Sequence, residues 1–330
     1  MNRKVCVAPM MDCTDRHERF FLRLISKNVL LYTEMIVSEA IDRGDKKKLL
    51  SFNIKEKPVA LQLGGSSPKL LANASKIGEE FGYDEINLNL GCPSKKVQKN
   101  KFGACLIKEP NLVADCLSEM QSKTKLPVTV KTRIGYDDVE DYESLFNFIK
   151  LLKKTGVKTF VIHSRKAMLG KFTPKQNLNI PPLKYEMVYK LKEDFKDLEI
   201  IINGGITSSD QIKNHLNKVD GVMIGRSIYH SPYMLADIEK EIFNNNKILS
   251  RQEIIENLIP YVKTEVKKGT RMNQIMRHTL GLFHGQTGAS FWKRYLSENM
   301  CVRDADVKKI DHIMDKVRLA PGIRQAGQID

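Results

Sequence analysis

At 330 residues, 42% of them hydrophobic and 28% charged, the chain has the composition of a soluble globular protein with room for one large barrel or two domains. Its apolar runs are strand-length, which excludes a bilayer-spanning helix. Its six cysteines (Cys6, Cys13, Cys92, Cys105, Cys116, Cys301) contain no CxxC pair, so neither a zinc site nor a disulfide framework is suggested. The formal net charge of +15 points to a polyanionic partner, although a lysine-rich composition alone yields the same value.

The first residues lead straight into strand-like sequence without a signal-peptide apolar region, so the expected compartment is the cytoplasm. Eight short apolar runs then recur at 5–8, 30–32, 59–61, 86–88, 128–130, 160–162, 200–202 and 221–224. Between them, segments such as 67–81, 111–124 and 142–155 have amphipathic helical periodicity, as crossovers between parallel strands require. Eight β/α units predict a closed (β/α)8 TIM barrel. An open doubly wound sheet is the alternative, but it would gather polar residues at one switch point, whereas here they follow nearly every strand. Residues 231–243 supply the last barrel helix, and Asn244-Asn245-Asn246-Lys247 reads as a linker. Helical patterns at 252–268, 271–283 and 304–317 predict a small C-terminal all-α bundle, giving domains at 1–243 and 244–330.

Chemistry concentrates where the strands end. Asn87-Leu88-Asn89-Leu90-Gly91-Cys92-Pro93-Ser94 leaves the fourth strand, and its Gly and Pro turn the chain so that Cys92 faces the barrel mouth. A thiol with an ordinary pKa near 8.5 is protonated at neutral pH and suits a general acid; a nucleophile and an inert buried thiol are the other readings. Cys105, flanked by small and apolar residues, reads as packing. Asn203-Gly204-Gly205 after strand seven and Gly225-Arg226 after strand eight form a phosphate cradle at the address where barrels commonly bind phosphate, against the blander reading of ordinary turns. Gln62, Lys131 and His163 end strands three, five and six. Singly each is a rim residue with a salt bridge or hydrogen bond, but together with the cradle they describe a pocket for FMN, whose reduced ring carries negative charge at its N1/O2 edge. Pro9, Met10 and Met11 add an apolar face after strand one, although a Met pair alone is usually core.

In the tail, Lys267, Arg271, His278, Lys293 and Arg294 form a basic set beside Phe291, Trp292 and Tyr295, which offer stacking surfaces for RNA bases. Residues 250–330 carry fourteen Lys and Arg against nine Asp and Glu, so the tail is not an exceptional basic patch.

Taken together, the motifs resemble the tRNA-dihydrouridine synthases, and within them the A-type subfamily. The matching stretches include Ala8-Pro9-Met10-Met11-Asp12, Leu61-Gln62-Leu63-Gly64-Gly65, the segment from Asn87 to Ser94, Val130-Lys131-Thr132-Arg133, His163-Ser164-Arg165-Lys166-Ala167 and Gly281-Leu282-Phe283-His284-Gly285. The resemblance spans almost the whole chain. It implies FMN contacts at Pro9, Met10, Met11, Gln62, Lys131, His163, Asn203, Gly204, Gly205, Gly225 and Arg226, and a proton donor at Cys92. It further implies NADPH as the reductant that reloads the flavin, with NADH as its alternative, and reduction of uridines 20 and 20a of the tRNA D-loop. Hydride would enter at C6 from flavin N5, and a proton at C5 from Cys92. Asn89 matches a residue near the target base, and Lys175 and Arg294 match tRNA contacts, whereas Leu178 and Phe291 stand where the subfamily carries arginines. A monomer without metal is expected. Two other classes share the barrel: a small-molecule FMN oxidoreductase of the dihydroorotate or dihydropyrimidine type, which the helical tail argues against, and a non-catalytic RNA-binding protein.

Overall fold

A computed structural model describes residues 1–300; the helix expected over 304–317 and Cys301 lie outside the described residues. Eight parallel strands make the sheet: β1 (Val5–Val7), β2 (Leu31–Tyr32), β3 (Val59–Gly64), β4 (Glu85–Leu90), β5 (Val128–Arg133), β6 (Thr159–His163), β7 (Glu199–Asn203) and β8 (Gly221–Ile224). Each pairs with its neighbour in chain order, and β8 pairs with β1. A bridge between Cys6 and Leu30, with hydrogen bonds from Val7 N to Leu30 O (2.9 Å) and from Leu30 N to Val5 O (3.1 Å), joins β1 to β2 and closes the barrel. A two-residue strand, Ile36–Val37, pairs with the end of β3 outside this order.

From β3 to β7 the strands run longer than the apolar runs that announce them, because a strand turns alternate side chains inward and polar residues occupy some inward positions. In β4 the apolar Ile86, Leu88 and Leu90 alternate with Glu85, Asn87 and Asn89, and all six are buried. Helices Pro68–Glu80, Pro110–Lys123 and Tyr142–Lys153 bury one apolar stripe each, as their periodicity predicts. The first opens with Ser67 accepting from Leu70 N and with Pro68 in its first turn, where the missing N–H costs no hydrogen bond.

At the N-terminal end of the strands the polar residues are satisfied by one another. Arg3 Nε donates to Glu85 Oε2 (2.6 Å) and its Nη1 to Glu199 Oε2 (2.9 Å). Glu85 Oε1 also accepts from Tyr32 OH (2.8 Å) and Thr129 Oγ1 (2.6 Å), and Glu199 from Thr159 Oγ1 (2.7 Å). Burial works against the Arg3 charge, but the two carboxylates outweigh it and hold the guanidinium above its ordinary pKa.

By compactness the chain divides into residues 1–16 with 29–225, and 17–28 with the chain from 226 onward. The second unit is helical: Arg226–His230, Met234–Phe243, Arg251–Lys267, Met272–Met276 and Ala289–Asn299, joined by most of the helix Arg16–Ile25. There Phe20 stacks on Tyr261 (centroids 3.8 Å apart), and His17 Nδ1 lies 2.7 Å from the Tyr261 hydroxyl. The buried Glu239 accepts from Asn28 N, Asn28 Nδ2, Asn245 Nδ2 and Ser26 Oγ. Burial pushes its pKa up, but these donors prevail and keep it below the ordinary carboxylate range.

Two expectations for the tail change here. Trp292 offers no stacking surface: it is fully buried, packs edge-on to Phe283 (5.1 Å) and donates Nε1–H to Thr279 O (2.9 Å). His278 is likewise buried, so it belongs to no exposed basic set. In both cases helical packing turns inward a ring whose polar edge the backbone or neighbouring side chains can serve. Among the described residues no helix is long and apolar enough to cross a membrane.

Candidate active site at the barrel mouth

Cys92 sits two residues beyond β4, half-buried, in a loop shaped by the strand below it. Asn89 Oδ1 accepts from both Gly91 N (3.1 Å) and Cys92 N (3.0 Å), which curls the backbone over the strand end. Asn89 Nδ2 donates to Gln62 Oε1 (2.8 Å), Gln62 Nε2 to Asn87 Oδ1 (2.8 Å), and Asn87 Nδ2 to Thr129 Oγ1 (2.9 Å). A line of amides therefore runs up the inside of the wall from Glu85 to Cys92. Gln62 lies inside β3 rather than at its end, with its carbonyl and one N–H held within the protein.

From the other side, Arg133 Nε donates to Gly91 O (2.8 Å), while its Nη1 reaches Lys166 O (3.1 Å) and Asn177 O (3.2 Å). One buried guanidinium thus ties the Cys92 loop to the segment after β6. Sequence reasoning assigned Arg133 no role; the signal available was the alternation Thr129, Lys131, Arg133, which puts three polar side chains on one face of β5.

The titrating groups share one environment. Burial, the largest influence, raises the Cys92 thiol above its ordinary pKa, while a backbone hydrogen bond from Ser94 and the charges of Arg133 and Lys131 work the other way without reversing it. Lys131 is pulled down to about 7, first by burial and then by Arg133. Its Nζ donates to Asn203 Oδ1 (3.1 Å), and Asn203 Nδ2 donates to Met223 O (2.8 Å). Burial, reinforced by Arg133, Lys131 and Arg165, pushes His163 well below its ordinary value, so its imidazole is neutral at pH 7. His163 Nδ1 accepts from Arg165 N (3.2 Å), which puts the ring proton on Nε2.

Gly204 and Gly205 adopt φ of +122° and +71°, a backbone closed to ordinary side chains. A Cβ on Gly204 would also stand 3.0 Å from Leu183 and 3.4 Å from the His163 ring, so this turn presents bare backbone beside the imidazole. Gly225, after β8, needs no such backbone, but a Cβ there would press against Met10 Sδ at 3.3 Å and Ala8 Cβ at 3.4 Å. Pro9 and Met10 are half-buried and Met11 is 55% exposed. Arg226 is exposed and opens the helix that follows Gly225. Lys175 is exposed on helix Pro174–Asn179, which Asn177 pins by accepting from Met168 N (2.7 Å) and donating to three backbone carbonyls. Arg294 is exposed on Ala289–Asn299, where Phe291 lies against Tyr295; Leu178 is half-buried. Cys105 is half-buried, its Sγ 3.1 Å from Phe102 O.

A parallel β/α barrel that collects a protonated thiol, a weakened lysine, a neutral imidazole and glycine-lined turns at the C-terminal ends of its strands is an enzyme barrel by architecture. The family model for dihydrouridine synthase (Dus) matches residues 6–317. The chain belongs to the dihydrouridine synthase family. It is 53% identical over 300 residues to the tRNA-dihydrouridine(20/20a) synthase of Synechocystis sp., covering 91% of this chain and 90% of that one. It is 49% identical over 313 residues to the enzymes of the same name from Escherichia coli K12, covering 94% and 90%, and from Shewanella oneidensis, covering 94% and 92%. Among solved structures, 2-naphthoyl-CoA reductase in complex with 2-naphthoyl-CoA superposes with a TM-score of 0.53 at 11% identity over 73% of this chain. This chain spans half the length of that one, and the likeness is one of fold alone.

Proposed function

We propose that this protein reduces the C5=C6 bond of uridine in the tRNA D-loop, at positions 20 and 20a, with FMN as its bound cofactor and NADPH as reductant. The observation that carries the reading is Cys92: a half-buried thiol kept protonated, held at the top of β4 beside Lys131. The residues at the mouth fit a flavin phosphate. Gly204, Gly205 and Gly225 offer bare backbone, with Arg226 as the adjoining cation, and Met10, flanked in sequence by Pro9 and Met11 in the turn after β1, lies beside Gly225. Gln62, Lys131, His163 and Asn203 would hold the ring.

FMN, when reduced, supplies hydride to C6 of the uracil. The chain's own residues do the rest. Cys92 Sγ–H gives its proton to C5, the carbon next to the C4 carbonyl, where electron density builds as C6 is reduced. A thiol above its ordinary pKa is a weak acid, but it is fully protonated at neutral pH and ready in every turnover. Lys131, easily deprotonated when alone, regains its proton beside an anionic partner, so it answers negative charge only when that charge is present. Neutral His163 would donate Nε2–H without adding a further cation beside Arg133 and Lys131. Asn89, which shapes the Cys92 loop, would stand near the target base, and that base must leave its stack to reach it. Residues 1–243 form the catalytic part and 244–330 the tRNA-binding part, with Lys175 and Arg294 contacting tRNA; the site of action is the cytoplasm and the enzyme is monomeric.

Purified protein should be yellow, and with NADPH and unmodified tRNA it should produce dihydrouridine, located by mass spectrometry of nuclease fragments at 20 and 20a. Colourless protein that binds tRNA without turnover would replace this reading with that of a binding protein.

A further inference from the structure

The Cys92 loop runs directly into a short helix, Lys95–Lys99, whose charge has no counterpart nearby. Residues 86–108 contain five lysines and no aspartate or glutamate. Lys108 is paired with Asp137 (3.3 Å), but Lys95, Lys96, Lys99 and Lys101 are exposed and make no ion pair among the described residues. A solvated helix usually interleaves both signs, as Tyr185–Asp194 does with Glu186, Lys190, Lys192, Glu193 and Asp194. Four bare cations in seven residues are a different arrangement.

The backbone that carries them is held in place. Val97 is buried on the inner side of the helix, Gln98 Nε2 donates to Pro93 O (2.7 Å), and Gln98 N donates to Ser94 O (2.9 Å). Lys101, at φ +55°, reverses the chain so that Phe102 N reaches Val97 O (3.3 Å) and Ala104 N reaches Cys92 O (3.0 Å). Gly103 packs so close that a Cβ there would stand 2.7 Å from Cys92 O. The loop that carries the lysines is thus braced against the backbone of Cys92 itself.

We propose that Lys95, Lys96, Lys99 and Lys101 form a phosphate-binding rim that grips the RNA backbone flanking the nucleotide presented to Cys92. The inference rests on the tRNA reading above and adds to it the surface that receives the strand. A nucleotide whose base reaches Cys92 brings its own flanking phosphates to the lip of the same loop, and ammonium groups there replace the counterions those phosphates shed. Such contacts position the strand without reading sequence.

The test is the salt dependence of tRNA affinity for the full-length flavoprotein. Replacing all four lysines by glutamine should weaken binding at least tenfold near 0.15 M salt. It should also flatten the plot of log affinity against log salt, by roughly 0.7–0.9 for each phosphate that is no longer neutralised. In turnover the loss should fall on KM for tRNA, with KM for NADPH unmoved. A control removes the same charge by changing Lys46, Lys47, Lys48 and Lys55, which are exposed in the segment leading to β3. Thermal melting confirms that each variant folds, and Lys96→Gln alone gives a milder reading in the same assay. Equal weakening in both sets would assign the effect to bulk charge, an unchanged slope in the first set would remove the rim, and a rise in KM for NADPH instead would give the lysines to the dinucleotide; each overturns the proposal. If the wild type neither binds nor reduces tRNA, the functional reading itself fails.

Discussion

The two ends of one barrel treat buried polarity in opposite ways. At the floor, Arg3, Glu85, Glu199, Tyr32, Thr129 and Thr159 close on one another, and Glu85 alone accepts from three side chains. At the mouth, among the described residues, Lys131 has one side-chain partner, His163 accepts one backbone N–H, and Ser164 Oγ is buried without any partner. The floor's charges face each other and reinforce ionisation, as the raised Arg3 shows. At the mouth burial first, and then the neighbouring cations, push Lys131 and His163 below their ordinary values. Groups saturated by the fold serve stability; groups left short of partners are available to a ligand.

Perturbing each end breaks the contrast in a characteristic way. The largest effect is expected at the mouth from Cys92→Ala, which should fold and stay yellow yet lose roughly two to four orders of magnitude in dihydrouridine formation, as loss of a general acid does. Nucleoside mass spectrometry measures it, and near-normal product would return the proton to another group. At the floor, Glu85→Ala should cost about 3–5 kcal/mol in urea unfolding, because it removes the buried one of the two carboxylates paired with Arg3 and takes the acceptor from the Tyr32 and Thr129 hydroxyls. A change below about 1 kcal/mol would mean that the floor is not the structural end.

Lys131→Met separates the ends more finely. It should weaken flavin binding roughly 10- to 100-fold, the worth of a charge-assisted hydrogen bond, without destabilising the flavin-free protein. Because the folded pKa of about 7 lies below the unfolded value, the unfolded chain holds the extra proton between pH 7 and about 10.4. Flavin-free wild type should therefore gain stability relative to Lys131→Met as pH rises through that window, by at most about 1.4 kcal/mol per pH unit. A flat difference would mean that Lys131 is not held against its charge. The smallest effect concerns Cys92 alone: iodoacetamide should label it more slowly at pH 8 than a free thiol, since burial keeps it protonated, and rapid labelling would make it a nucleophile instead.

Much of this was legible before the structure. Eight apolar runs foretold eight strands, and the Gly-Gly turn, Lys131, His163 and Cys92 all lie at the C-terminal half of the barrel, as parallel β/α units require. Less legible was anything that depends on partners across strands. Asn87 and Asn89 stand in the sequence as part of the stretch that leads to Cys92, yet both are spent in the amide line that sets the Cys92 loop. Arg133 carried no role in the sequence, and in the structure it ends β5 and clasps two loops together. Trp292 looked like a stacking surface and is core.

Local pattern by itself determined the strands, the helices and the residues that reach the mouth, because period 2 and period 3.6 are written in neighbouring positions. Only the tertiary structure decided which polar groups are satisfied and which are left waiting. Hydrogen-bond partners and desolvation come from residues far apart in the chain: Lys131 meets Asn203, and Glu85 meets Arg3. The proton on Cys92 is the sharpest case: the sequence left a general acid, a nucleophile and an inert thiol open, and only the low-dielectric packing around the sulfur raises its pKa and decides against a thiolate.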